Sequence, residues 1–205
     1  MAYSDFKLKE LIKQFSLILK DKNDLFAEVS PVQPTEYLEF TLKYNLPVAG
    51  EINTEKARSE MIIAPILLEV RRRVGDRISL FSGRDFNVDP ERGLNGACDF
   101  LLGISDSQLV INAPVVAIVE AKKEDIIGGL GQCVAEMIAA QLFNEQEGNQ
   151  VTNIYGVVTS GTAWRFVKLA GKTVSVDVVE YYITNLEKIL GIFIAILAEN
   201  GISSN

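Results

Sequence analysis

Apolar residues recur at helical spacing from the start of the chain. Phe6, Leu8, Leu11, Ile12, Phe15, Ile18 and Leu19 fall on one stripe, with Lys7, Lys9, Lys13 and Lys20 mostly opposite. This pattern predicts an amphipathic helix reaching as far as Leu19. From residue 21 to residue 50 the pattern weakens. Pro31, Pro34 and Pro47 bound a mixed segment in which residues 37–44 fit either a short helix or an edge strand. Helical spacing returns with Ala57, Met61, Ala64, Leu67 and Leu68. Asn53 or Thr54 can cap this second helix, which is expected to run to about Val74 and stop near Gly75. Pro65 within it cannot donate to the carbonyl of Met61, so the axis should bend there. Glu60 is expected on an inward-leaning edge of the apolar stripe, beside the bend.

The pattern then changes to strands. Residues 77–81 and 97–104 read as strands separated by a loop rich in Ser, Gly, Asn, Asp and Pro; a short apolar run follows at 109–111. Residues 115–122, Val-Val-Ala-Ile-Val-Glu-Ala-Lys, have the unbroken apolar character of a buried central strand. Gly128-Gly129-Leu130-Gly131 reads as a flexible loop, or less simply as a phosphate cradle, leading into a helix that ends near Glu147. Gln132 and Glu136 share one face of that helix. Strands follow at 155–159, 164–170 and 174–183, then a helix capped by Asn185 and continuing through Leu197, with residues 201–205 expected to fray. This order predicts a three-layer α/β domain with a mixed central β-sheet flanked by helices.

Chemistry concentrates at the end of the central strand. Side chains alternate along a strand, so Glu120 and Lys122 project from one face. Were the preceding strand to pair with it, Asp99 would approach Glu120. At ~5 Å and an effective dielectric of ~20, two carboxylates repel by ~3 kcal/mol. A divalent cation held by hard oxygen ligands would neutralise the pair.

Composition narrows the options. The chain has 205 residues, 48% hydrophobic and 23% charged, and suits a single domain over residues 1–205. It contains no histidine, which excludes a Ser-His-Asp triad, a Cys-His dyad and any histidine-based metal centre. Cys98 and Cys133 lack metal-ligand spacing and read as buried small hydrophobes. The net charge of −7 opposes indiscriminate coating of nucleic acid. Arg71, Arg72, Arg73, Arg77, Arg84 and Arg92 nevertheless fall within 22 positions, as a solvated helix end or as a substrate contact. Trp164 and Arg165 could stack on a base, although a packed hairpin explains them more simply. No signal peptide is read at the N-terminus, and the apolar stretch 189–198 is too short to span a bilayer, so a cytoplasmic protein with no membrane association is expected.

Taken together, Glu60, Asp99 in Gly96-Ala97-Cys98-Asp99, Glu120-Ala121-Lys122 and Gln132 resemble the PD-(D/E)XK nuclease superfamily, with its restriction-endonuclease-like fold. The likeness is to the N-terminal nuclease domain of type I restriction motor subunits. The run Tyr155-Gly-Val-Val-Thr-Ser-Gly-Thr-Ala-Trp-Arg-Phe166 is similar to the hairpin that follows the core motif there. The resemblance covers residues 54–170, leaving 1–50 as an N-terminal helical extension and 171–205 as a closing strand and helix. Cys98 stands where the family has proline.

The resemblance implies metal-dependent phosphodiester hydrolysis of nucleic acid, DNA in the first instance. Asp99, Glu120 and the Ala121 backbone carbonyl would bind Mg2+ or Mn2+, and Glu60 would assist through water. Lys122 would orient the attacking water or stabilise the transition state, and Gln132 would hydrogen-bond the water or a phosphate. A homodimer is expected if both strands of a duplex are cut, with the 189–197 helix as one candidate interface. The alternative is a catalytically dormant binding or scaffold protein on the same fold, needing a protein partner.

Overall fold

The computed structural model describes residues 1–202. At its centre is a mixed sheet of seven strands. In chain order the strands are β1 (Ile18–Lys20), β2 (Ser79–Asp85), β3 (Ala97–Gly103), β4 (Val115–Ala121), β5 (Asn153–Thr159), β6 (Ala163–Ala170) and β7 (Thr173–Tyr182). Across the sheet they lie in the order β1-β7-β6-β5-β4-β3-β2. The β4–β5 and β1–β7 pairs are parallel and the others antiparallel. Helices α1 (Leu8–Gln14) and α5 (Ile126–Gln146) pack on one face. On the other face lie α2 (Glu36–Ile52), α3 (Glu55–Arg58), α4 (Ala64–Val74) and α6 (Leu186–Glu199). This is the expected three-layer α/β arrangement. All seven residues of β4 are buried, as suits a strand covered on both faces.

Pro65 acts where its chemistry requires. The turn before it, Ser59–Ile63, opens into a π-helix between α3 and α4. The Met61 carbonyl accepts instead from the Asn45 side-chain amide at 2.8 Å. Thr54 supplies the cap, accepting from the Ala57 N–H.

Several segments depart from their sequence pattern. Ile18 and Leu19 do not extend the first helix. They form edge strand β1, paired with β7, and the helical spacing there arose because two apolar residues of a short strand continued the stripe. Residues 37–44 are wholly within α2, which accommodates Pro47. Residues 109–111 form no strand. The glycines at 128, 129 and 131 are helical, not a loop. A Cβ on Gly131 would stand 2.2 Å from the Phe6 carbonyl oxygen, and one on Gly129 2.7 Å from the Val158 side chain. Glycine here permits α5 to lie close against its neighbours, an advantage that offsets its low helix propensity. Of the tail expected to fray, Ile202 is buried and donates to the Leu197 carbonyl, while 203–205 lie outside the described residues.

α5 has the length and apolarity of a membrane span, but 67% of that window is buried inside the fold. It is the core helix of this layer.

Candidate active site

The β3–β4 ladder runs from the Gly103–Val115 pair to the Phe100–Val119 pair and goes no further. The next donor along β4, the Ala121 N–H, is taken by the Asp99 carboxylate at 2.8 Å. Side-chain alternation slips beside this point. Cys98 and Leu101, three apart, both pack on the α5 side, whereas Phe100 and Leu102 pack on the other. The two strands therefore part where Asp99 meets Ala121, close to the carboxyl ends of the parallel pair β4 and β5. Such ends are where ligands bind in open α/β sheets.

Glu120 and Lys122 follow Ile118 on the α5 side. The Lys122 ammonium donates to Glu120 Oε1 at 2.5 Å and to Gln132 Oε1 at 3.2 Å. The Gln132 amide in turn donates to Glu136 Oε1 at 3.1 Å. A polar chain thus runs Glu120–Lys122–Gln132–Glu136, with both glutamates buried. Each has one oxygen satisfied, while Glu120 Oε2 and Glu136 Oε2 are buried without a hydrogen-bond partner. Oxygens in that state are costly unless something else occupies the space.

The electrostatics follow. Burial, reinforced by the charge of Asp99 and opposed by Lys122, pushes the Glu120 carboxyl up to about 8. Glu136 is raised well above the usual carboxylate range by burial and by Glu120. Burial alone would lower the Lys122 ammonium, but the charge and hydrogen bond of Glu120 outweigh it and leave it raised. Nearby, the Cys98 thiol is pushed up by burial and by Glu136. Both cysteines are buried, as their composition suggested.

Asp99, Glu120, Lys122 and Gln132 are thus brought together, as expected. Glu60 is not among them. Its side chain is 63% exposed and pairs with Lys56 at 3.7 Å. The inward face of this segment is Ile62, Ile63, Ile66, Leu67 and Val70, while Leu68 of the expected stripe is exposed, so Glu60 lies outside it. Glu55 is the acid of this helical segment whose charge acts on both Glu120 and Lys122. Sequence reasoning passed over Glu55 because an acid just after an N-cap is ordinary. Glu136 left a clearer signal: it is a lone carboxylate in an otherwise apolar helical run from Cys133 to Ala140.

Other candidates have structural roles. The Gly128 N–H is engaged by Asp125 at 2.7 Å, so the α5 N-terminus is capped by its own carboxylate instead of presenting a phosphate cradle. Trp164 is buried, donates from Nε1 to the Gly161 carbonyl and meets Phe193 edge-on, which removes it from base stacking. Arg165 is held by Glu180 and by the carbonyls of Asp177 and Val178. In the arginine run, Arg72 and Arg73 bind Glu69, Arg71 binds Asp76, Arg77 donates to the Val74 carbonyl, and Arg92 pairs with Asp89. Arg84 is exposed on β2, opposite Cys98 and hence beside Asp99 in the sheet.

The donor set suits a hydrated Mg2+ better than a protein cage. Among the described residues no three acidic, cysteine or histidine side chains gather closely enough to enclose an ion. Mg2+ keeps several waters and needs only one or two carboxylates. Asp99 and Glu120 are the pair that could hold it, and Glu120 Oε2 is buried without a partner. The chain matches no family model, no curated protein and no solved structure.

Proposed function

We propose that this protein is a Mg2+- or Mn2+-dependent nuclease that hydrolyses phosphodiester bonds, with DNA as the first substrate to test, acting in the cytoplasm. One observation carries the reading. Two carboxylates from neighbouring strands converge where those strands part, one of them buried with an unpartnered oxygen, beside a lysine already held by Gln132.

Asp99 and Glu120 would hold the ion, with the Ala121 carbonyl as a further ligand on the strength of the resemblance. When bound, the ion supplies Lewis acidity to a phosphate oxygen and lowers the pKa of water. The protein's own groups do the rest. Lys122 places a positive charge where charge grows on the phosphate, and Gln132 keeps the ammonium from turning wholly toward Glu120. Arg84, opposite Cys98 on β2, and Lys123, next in sequence to Lys122, are exposed and would supply the attraction for a polyanion that the overall charge lacks.

Purified protein is expected to cleave plasmid or single-stranded DNA with Mg2+ or Mn2+ and to stop when the metal is chelated. No cleavage of DNA or RNA across a Mn2+ titration would overturn the reading. The dormant-scaffold alternative draws on the acidic balance of the chain, a net charge of −7. It expects Asp99→Ala to leave partner binding intact, with no catalytic activity to lose.

A further inference from the structure

α2 is amphipathic in an unusual sense. Its inward face, with Leu38, Leu42 and Ala49, is buried, but its outer face also carries large apolar groups. Tyr37, Phe40 and Tyr44 are 65%, 76% and 71% exposed. At 100° per residue the three fall on one narrow stripe. Tyr37 and the exposed Leu68 of α4 share a shallow hollow beside it, so the stripe widens into a patch. Exposed aromatic groups gathered in this way mark an interaction surface.

The flanking charges identify what covers it. Glu36 and Lys43, and further round the helix Glu39, are exposed on the same side of the aromatic stripe. When two copies of one helix pack antiparallel about a twofold axis, each flank meets the same flank of its partner. An axis midway between residues 40 and 41 places Phe40 beside Phe40 of the other copy and Tyr37 beside Tyr44. The same axis brings Lys43 within a turn of the other copy's Glu36 and Glu39, so aromatic and charged positions agree on one register. Glu36 and Glu39 disfavour a polyanion on this edge, and the nearby Arg71 and Arg72, the latter over the Tyr37 ring, are already paired with Asp76 and Glu69.

We infer that the protein forms a twofold homodimer through antiparallel pairing of the outer faces of α2. The 189–197 helix expected to serve as an interface is unavailable, since Ile189, Ile192, Phe193 and Ile196 are buried in the core. Six aromatic rings, with Leu68 and the stems of the charged side chains, cover on the order of 1,000 Å² in total. That is the lower edge of specific interfaces, so the dimer dissociates on dilution. The inference stands apart from the nuclease reading, because it uses none of the site residues.

Sedimentation velocity on the full chain over a concentration series tests it. Wild type is expected to pass reversibly from monomer to dimer, and Phe40→Glu to remain monomeric while keeping its melting curve. Lys43→Glu weakens the dimer about tenfold, since both symmetry-related charge contacts become repulsive. The combination Glu36→Lys, Glu39→Lys, Lys43→Glu restores the association, which no merely structural role for Lys43 would produce. Were Phe40→Glu to unfold, Tyr44→Glu takes its place. A wild type that stays monomeric, whatever vesicles or other proteins it binds, overturns the inference. So does a dimer that survives Phe40→Glu, or one that Lys43→Glu leaves unchanged.

Discussion

Glu69 and Glu120 are both buried glutamates in the apolar interior, and the fold treats them in opposite ways. Glu69 on α4 has both oxygens occupied: Oε1 by the Thr35 N–H and Arg73, Oε2 by the Thr35 hydroxyl and Arg72. Burial by itself would raise its pKa, but the bonds from Thr35 and Arg73 and the two guanidinium charges prevail and hold it below the usual range. Glu120 receives one lysine and faces Asp99, and its second oxygen has no partner. Glu69 ties the start of α2 to the end of α4, as a fully paired buried charge can. Glu120 is left incomplete at a point where strands part, the condition expected of a group whose partner is not part of the chain.

The sharpest break between the two is catalytic. Lys122→Ala is expected to lower cleavage by roughly a thousandfold, the magnitude associated with removing a preorganised charge from a transition state, while the melting temperature shifts by only a few degrees. Glu69→Gln should leave cleavage per folded molecule within about twofold. A rate assay beside a thermal melt on each variant reads both, and comparable activity losses in the two would erase the distinction.

Stability provides the next contrast. Glu69→Ala strands two guanidinium groups and the Thr35 cap, and is expected to cost about 3 kcal/mol, less than a fully enclosed pair because Arg72 is half exposed. Glu120→Gln relieves the repulsion with Asp99 and Glu136 and should be neutral or stabilising without metal. Chemical denaturation of both variants in chelator measures this. A Glu120→Gln variant destabilised as much as Glu69→Ala would make Glu120 a structural ion-pair partner.

Only the Glu120 side of this contrast was legible in the sequence, and the limits have physical causes. Glu120 and Lys122 were recoverable because strand alternation in an unbroken apolar run fixes which residues share a face, whereas Asp99 needed the pairing of two strands and Gln132 the family resemblance. Glu60 was misplaced because the stripe was drawn through Met61, Ala64 and Leu68, whereas the buried face runs through Ile62, Ile63, Ile66, Leu67 and Val70, off a regular period that the π-turn interrupts. Gly129 and Gly131 looked like a loop because their purpose is close approach to other segments, and propensity carries no information about what lies opposite. The end of the first helical stripe became β1 because pairing with β7 overrode local periodicity. The arginine run was readable as charge but not as destination, since Glu69 and Asp76 claim much of it.

The pH dependence of stability gives a smaller effect of defined sign. Glu120 has a folded pKa of about 8, above the ordinary value of 4.5. Between those values the native state retains a proton that the unfolded chain has released. Stability therefore declines as pH rises from about 4.5 toward 8. Glu136, raised in the same direction, adds to the decline. Melting temperatures from pH 5 to pH 8 in chelator should fall in wild type and fall less in Glu120→Gln. Mg2+ should recover part of the loss at pH 8 in wild type alone, because a cation binds the ionised form. A wild-type profile that rises over this range would mean that Glu120 is paired as well as Glu69.

The smallest expected effect separates two acids only five positions apart. Glu60 is exposed and its contact with Lys56 is an i, i+4 surface pair, worth about 0.3–0.5 kcal/mol. Glu60→Gln should therefore change stability by less than about 0.5 kcal/mol and leave the Mg2+ concentration for half-maximal cleavage within about twofold. Glu55 sits close enough for its charge to act on Glu120 and Lys122. Glu55→Gln should raise that Mg2+ requirement about threefold to tenfold at low salt, since one negative charge leaves the neighbourhood of the ion. Metal titrations of the two variants side by side decide between them. Were Glu60→Gln to show the larger shift, the acid assisting the ion would be the one that the family resemblance implied, and the π-turn would have to rearrange when metal binds.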